Sequence, residues 1–289
     1  MFDTFLRQIH QFTYTLLAFP RASRFIRTYR LWAGMKEYKW VYRFVLLVAA
    51  LAGLYLIAEF LNYTETHAEA TITQSVFSAD GFITQVGFET YESMTDGALK
   101  WVILILLEVV IYHFMRQSLK IVANKDVENA HKFKPFADAQ ARMIAVSFMA
   151  YGLEIALTEV FAGVVFGIFG AIRFLEPAFV LLVQCSLLGF AIVDNYNEQY
   201  GLKVGQSLRY TRMGYIGVCL GVGFPLYFIL KIPFVGTVVG PIVASVVVAI
   251  VMYELSDLAT VGYVPSEKEQ AKIDKKAARK AKKLARSKA

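Results

Sequence analysis

GYIGVCLGVGFPLYFIL (214–230) and IPFVGTVVGPIVASVVVAIVMY (232–253) contain no charged residue, and a single lysine, Lys231, separates them. Runs of that length and composition suit a bilayer better than the core of a soluble domain. The Lys-Ile-Pro-Phe-Val-Gly link leaves room only for a tight reversal. The pair reads as an apolar helical hairpin with Gly and Pro built into it, and Pro233, Gly236 and Pro241 are its structural turn residues.

Working outward, 57% of the 289 residues are hydrophobic and 15% aromatic, the composition of an all-α integral membrane protein. The net charge of +7 is unevenly spread. Residues 1–43 hold eight Lys/Arg against two acids, and 63–97 hold six acids and no Lys/Arg. Residues 116–142 hold six basic groups to three acidic, and 254–289 ten to five. Basic loops stay inside, so both termini are expected on the cytoplasmic side, with 63–97 outside. The basic balance therefore reports orientation and lipid contact, and nucleic-acid binding is not expected.

Three regions follow: an amphipathic interfacial segment (1–40), a membrane domain (41–256) and a basic cytoplasmic tail (257–289). In the first, Phe2, Phe5, Ile9, Phe12 and Leu16 recur at helical spacing, ahead of Arg21, Arg24, Arg27 and Arg30. The membrane domain opens with a span at 41–62, about 33 Å long, and an external loop at 63–97. A second span at 98–115 leads into the cytoplasmic segment 116–142. The run 143–172 is about 45 Å long, more than one crossing needs, so a break is expected near Gly163, Gly167 or Gly170. After a reversal at 173–177, the arm 178–193 returns to a cytoplasmic connector at 194–213. The arms 178–193 and 214–230 are about 24–26 Å long, short enough for two Gly/Pro-containing hairpins that penetrate part-way. In the tail, Ser266 and Glu269 have capping-box spacing.

Asp194-Asn195-Tyr196, Leu208-Arg209-Tyr210-Thr211-Arg212, Ile232-Pro233-Phe234-Val235-Gly236 and Gly240-Pro241 resemble the CysZ-like sulfate permease family, which shares the etoposide-induced-protein domain. Pro233 and Pro241 reproduce the family's eight-residue proline spacing, and Gly34 with Arg43-Phe44-Val45-Leu46 is similar to the start of its first span. The likeness covers 190–255 well and 31–60 thinly. It implies a bacterial inner-membrane homo-oligomer and, for one branch, sulfate uptake. The chain departs from the family at Tyr42-Arg43, where the family pairs arginines, at Lys39-Trp40, where it has Pro-Gly, and in lacking a proline in the following span.

The anion-binding candidates are Arg43, which aligns with the second arginine of the family motif, and Lys39 and Lys36 beside it. An ordinary interfacial anchor is the competing role for Arg43. Glu108, Glu154 and Glu159 are the intramembrane polar candidates, since a charge at the bilayer centre costs about 2.5–3.5 kcal/mol and usually faces the bundle interior or water. They read as a proton or ion path, or as hydrogen-bonded groups at span ends and oligomer contacts. No nucleotide, nucleophile-elbow or zincin motif occurs, the four histidines are scattered, and Cys185 and Cys219 lie in apolar runs. No enzyme activity, cofactor or metal is expected. The two expected functions are a permease or channel for a small inorganic anion such as sulfate, and a non-transporting oligomeric scaffold of the same fold.

Overall fold

The computed structural model describes residues 2–33, 99–124, 133–232, 235–265 and 270–271. The expected first span, the external loop, Lys36, Lys39, Arg43, Pro233 and most of the tail lie outside the described residues. All regular structure among the described residues is helical: α1 (Phe2–Tyr29), α2 (Leu99–Val122), α3 (Phe133–Ile155), α4 (Gly163–Ile168), α5 (Glu176–Gln199), α6 (Val204–Gly214), α7 (Ile216–Leu230) and α8 (Val235–Leu255). A π-helical turn, Ala156–Ala162, joins α3 to α4, and a 3₁₀ turn, Gly170–Leu175, joins α4 to α5.

Among the described residues three helices are long and apolar enough to cross a membrane: Asp138–Ile168, Gly170–Gln199 and Val238–Leu255. Helices α6 and α7 meet that description only together, bent by 98° at their junction. The expected break in the long run falls at Phe169, whose φ of −101° and ψ of 65° end the helix immediately before Gly170.

Backbone approach at glycine sets the packing. A Cβ on Gly189 would overlap the carbonyl of Cys219, and one on Gly223 the carbonyl of Cys185, so α5 and α7 run antiparallel with their main chains in contact. At the turn between α7 and α8, Gly236 is seated on the Ile229 carbonyl in the same way. Small residues at a crossing are what allow membrane helices this proximity. Around them Leu188, Ile192, Leu226, Val247 and Ile250 form the centre of one continuous apolar core.

Helix α5 outruns its apolar stretch. Residues 194–199, expected in a solvated connector, are its last turns, and Asp194 to Asn197 are buried. The helix stops at Gly201, whose φ of 77° places it in the left-handed region. Gly201 N–H then reaches the Glu198 carbonyl and Leu202 N–H the Asn197 carbonyl, which satisfies the last turn as a Schellman cap does. Gln206 Oε1 accepts the Lys203 N–H at 3.0 Å and starts α6.

Helix α1 lies across the same end of the bundle. Its Gln8 backbone rests on Gly217 of α7, its Tyr14 and Arg21 reach Glu254 of α8, and Leu31 just beyond it meets His113 of α2. Where the bend at Tyr215 frees backbone groups, Gln8 and Gln11 replace the lost helical partners. Both donate to the Gly214 carbonyl, at 3.3 and 3.0 Å, and Gln8 Oε1 accepts the Gly217 N–H at 2.6 Å. A broken helix in an apolar setting needs such cover.

Candidate functional site: buried carboxylates along α5

Successive residues on a helix point about 100° apart, so four in a row face every side. In α5 that run is Asp194-Asn195-Tyr196-Asn197, and each side chain meets a different part of the bundle. Asp194 takes a two-point contact from Arg142 of α3, with Nε to Oδ2 and Nη2 to Oδ1 both 2.8 Å. Asn195 Nδ2 donates to Glu108 Oε2 of α2 at 3.2 Å. The Tyr196 hydroxyl pairs with Ser256, which follows α8, at 3.2 Å. Asn197 Nδ2 reaches Ser207 and Thr211 of α6 at 2.9 and 3.1 Å. The polarity that makes this run read as a solvated connector is consumed inside the protein.

Arg142 is the hub. It also donates to the Leu202 carbonyl, fixing the turn after α5, and its Nε lies 3.6 Å from Glu198. A fork of donors meeting one carboxylate, with a third bond to a carbonyl, is the geometry in which a guanidinium tolerates burial. Glu108, one helix away, is 0% exposed, and its second oxygen, Oε1, has no hydrogen-bond partner among the described residues. A carboxyl group held in that way is costly to keep charged.

Further along the hairpin, Trp101 Nε1 and Gln184 Nε2 each donate at 3.0 Å to the carboxylate of Glu154. Glu154 forms one wall of a cleft of about 300 Å³ that Tyr151, Thr158, Glu159, Glu176 and Gln184 also line. Its edge is the π-helical turn, a local irregularity that often accompanies function. Arg173 lies 3.7 Å from Glu176 at the hairpin tip.

Of the residues singled out in the sequence, Glu154 and Glu159 share this cleft, whereas Glu108 belongs to the Arg142 centre. Gly236 is buried in the first turn of α8, and Pro241 lies further inside the same helix. The sequence reading missed Arg142, Asp194, Asn195, Asn197, Trp101 and Gln184. One signal was present for the α5 group, because no Gly or Pro separates Val193 from Gly201 and nothing stops the preceding helix. Among the described residues no group of three or more His, Cys, Asp or Glu is placed to hold a metal ion. Comparison with protein-family models, with curated proteins and with solved structures gives no match, so the site is interpreted from its own geometry.

Proposed function

We propose that the protein is an integral membrane permease for a small inorganic anion, with buried carboxylates that carry protons alongside the anion. The observation that carries this reading is Glu108, fully buried, bonded through one oxygen to Asn195 and, among the described residues, unbonded at the other. Ionisable groups inside a membrane bundle mark ion pathways and proton relays. Here Asp194 and Glu198 of α5 meet Arg142, Glu108 meets Asn195 of α5, and Glu154 meets Gln184 about three turns earlier in the same helix. Sulfate is the anion implied by the sequence resemblance. Arg43, Lys39 and Lys36 are the proposed collecting residues at the mouth, because a guanidinium fork fits a tetrahedral oxyanion.

The lengths of the two hairpins fit part-way penetration of one of them. The 15 residues of α7 make about 23 Å, short of a hydrocarbon core of about 30 Å. The path from Arg142 to Ile168 makes about 39 Å and spans it with tilt. The Arg142 end, where α1 lies across the bundle, is the proposed cytoplasmic side.

A scaffold without transport is the second reading, favoured by the near-complete pairing of Arg142 and Asp194, which a purely structural network also explains. Reconstitution into proteoliposomes separates the two. A permease gives labelled-sulfate uptake above protein-free vesicles that rises under an imposed pH gradient. If sulfate, phosphate and chloride all fail to move, the permease reading fails and the scaffold stands.

A further inference from the structure

Three carboxyl groups, Glu108, Asp194 and Glu198, gather around one guanidinium, that of Arg142. Asp194 occupies the guanidinium fork with both oxygens at 2.8 Å, whereas Glu198 approaches Nε alone, at 3.6 Å. Arg116, two turns along α2 from Glu108, is turned onto the Tyr112 ring, 5.2 Å from its centroid. One positive charge balances one carboxylate, and the fork assigns it to Asp194. Glu108 and Glu198 are then in excess, and neighbouring carboxyl groups away from water hold a proton between them.

The acids of this centre that are not locked in the fork stand in order of access to water. Glu108 is 0% exposed. Glu198, in the last turn of α5, has a side chain 21% exposed. Asp138, one turn before Arg142 on α3, is exposed. Asn195, which bonds Glu108, lies one turn before Glu198 on the same helix. Glu108 lies within electrostatic reach of Glu198, and Glu198 within reach of Asp138. The other titratable and charged groups around the pair are Tyr112 on α2, Arg142 on α3 and Asp194 on α5. We infer that Glu198 is the proton exit of the buried site, taking a proton from Glu108 and passing it to water by way of Asp138. In the first step the Glu108 O–H bond breaks as one forms on Glu198, and the electron pair stays on Glu108, so the total charge is unchanged. In the second, water takes the proton through Asp138, and Glu198 returns to a carboxylate facing Arg142. The assignment rests on the proposal that buried carboxylates carry protons, and it names the end of the bundle at which they are exchanged.

The test follows deuterium exchange at the Glu108 carboxyl by infrared spectroscopy of the purified full-length protein in deuterated buffer, a readout that needs no transported substrate. The Glu108 band is the protonated-carboxyl C=O stretch that is missing from Glu108→Gln. Glu198→Gln should keep this band and slow its exchange by about 100-fold, the scale on which a positioned acid–base group acts. Glu198→Asp should restore most of the rate, which a loss of packing alone would not predict. Asp138→Asn, at an exposed position that folding tolerates, should slow exchange as well, and it carries the test if Glu198→Gln does not fold. Glu159→Gln, at the other end of the hairpin, should exchange at the parent rate. Absence of any band that depends on Glu108 would contradict the proton-carrying reading and the exit together. A Glu108 band whose exchange is indifferent to Glu198→Gln or to Asp138→Asn would overturn the exit alone. Slowing by Glu159→Gln in their place would overturn it too, because exchange would then run through the hairpin tip.

Discussion

Arg142 and Asp194, 52 residues apart in sequence, meet through two parallel hydrogen bonds of 2.8 Å that tie α3 to α5. The aspartate side chain is 3% exposed and the arginine 14%. Removing one partner leaves the other charge buried, which costs about 3–5 kcal/mol. Arg142→Ala is therefore expected to lower unfolding stability by that amount in detergent titration. Arg21, 52% exposed in its pair with Glu254, sets the contrast. Arg21→Ala should change stability by no more than about 1 kcal/mol, as exposed ion pairs do. Equal losses for the two variants would contradict the account.

Gly236 should not accept a side chain. Gly236→Leu drives its Cβ into the Ile229 carbonyl at the α7–α8 turn, and overpacking at a fixed backbone costs about 1–3 kcal/mol or more. Gly205→Ala, at a position with nothing within 4 Å inside the first turn of α6, should be neutral or slightly stabilising. Thermal unfolding of the two variants in one detergent checks the pair, and an unperturbed Gly236→Leu would count against the backbone contact.

Tyr14 provides a pH test of how α1 is held. Its hydroxyl donates to Glu254 at 2.5 Å, and that bond, with burial and the glutamate's charge, raises its pKa above the ordinary value. A neutral tyrosine is the form that α1 binding favours, so the contribution is complete below about pH 10, the unfolded value, and is lost as pH rises through the higher folded value. Labelling of a cysteine at Ala18, on the buried face of α1, should increase at such alkaline pH in the parent protein. With Tyr14→Phe that step should vanish. An identical profile in both would remove Tyr14 from the attachment.

Arg43→Lys tests the proposed anion mouth. An interfacial anchor accepts lysine, whereas a fork that grips two oxygens of one anion does not. Sulfate uptake is expected to be lost with the amount of membrane-inserted protein unchanged, and full uptake by the lysine variant would return Arg43 to a simple anchor.

The helices were legible where apolar runs are long, because nothing but a helix satisfies the backbone there. Glu108, Glu154 and Glu159 stood out for the same reason, as charges in apolar surroundings. The partners of these residues did not stand out. Asp194-Asn195-Tyr196-Asn197 has the composition of a solvated connector, and only the arrival of Arg142, Glu108, Ser256 and the pair Ser207 and Thr211 from other elements makes burial affordable. The bend between α6 and α7 depends similarly on Gln8 and Gln11, more than 200 residues away. Local pattern carries no record of contacts at that separation. The π-helical turn likewise leaves no mark in the spacing of residues 156–162, whose apolar positions fit an ordinary helix equally well.

The most direct test of the central claim compares the parent protein with Glu108→Gln in proteoliposomes, measuring labelled-sulfate uptake with and without an imposed pH gradient. Glutamine preserves size and the bond to Asn195 but cannot exchange a proton. The account predicts that the parent accelerates under the gradient, while Glu108→Gln inserts normally and shows no acceleration. Acceleration of the same size in both proteins would contradict it.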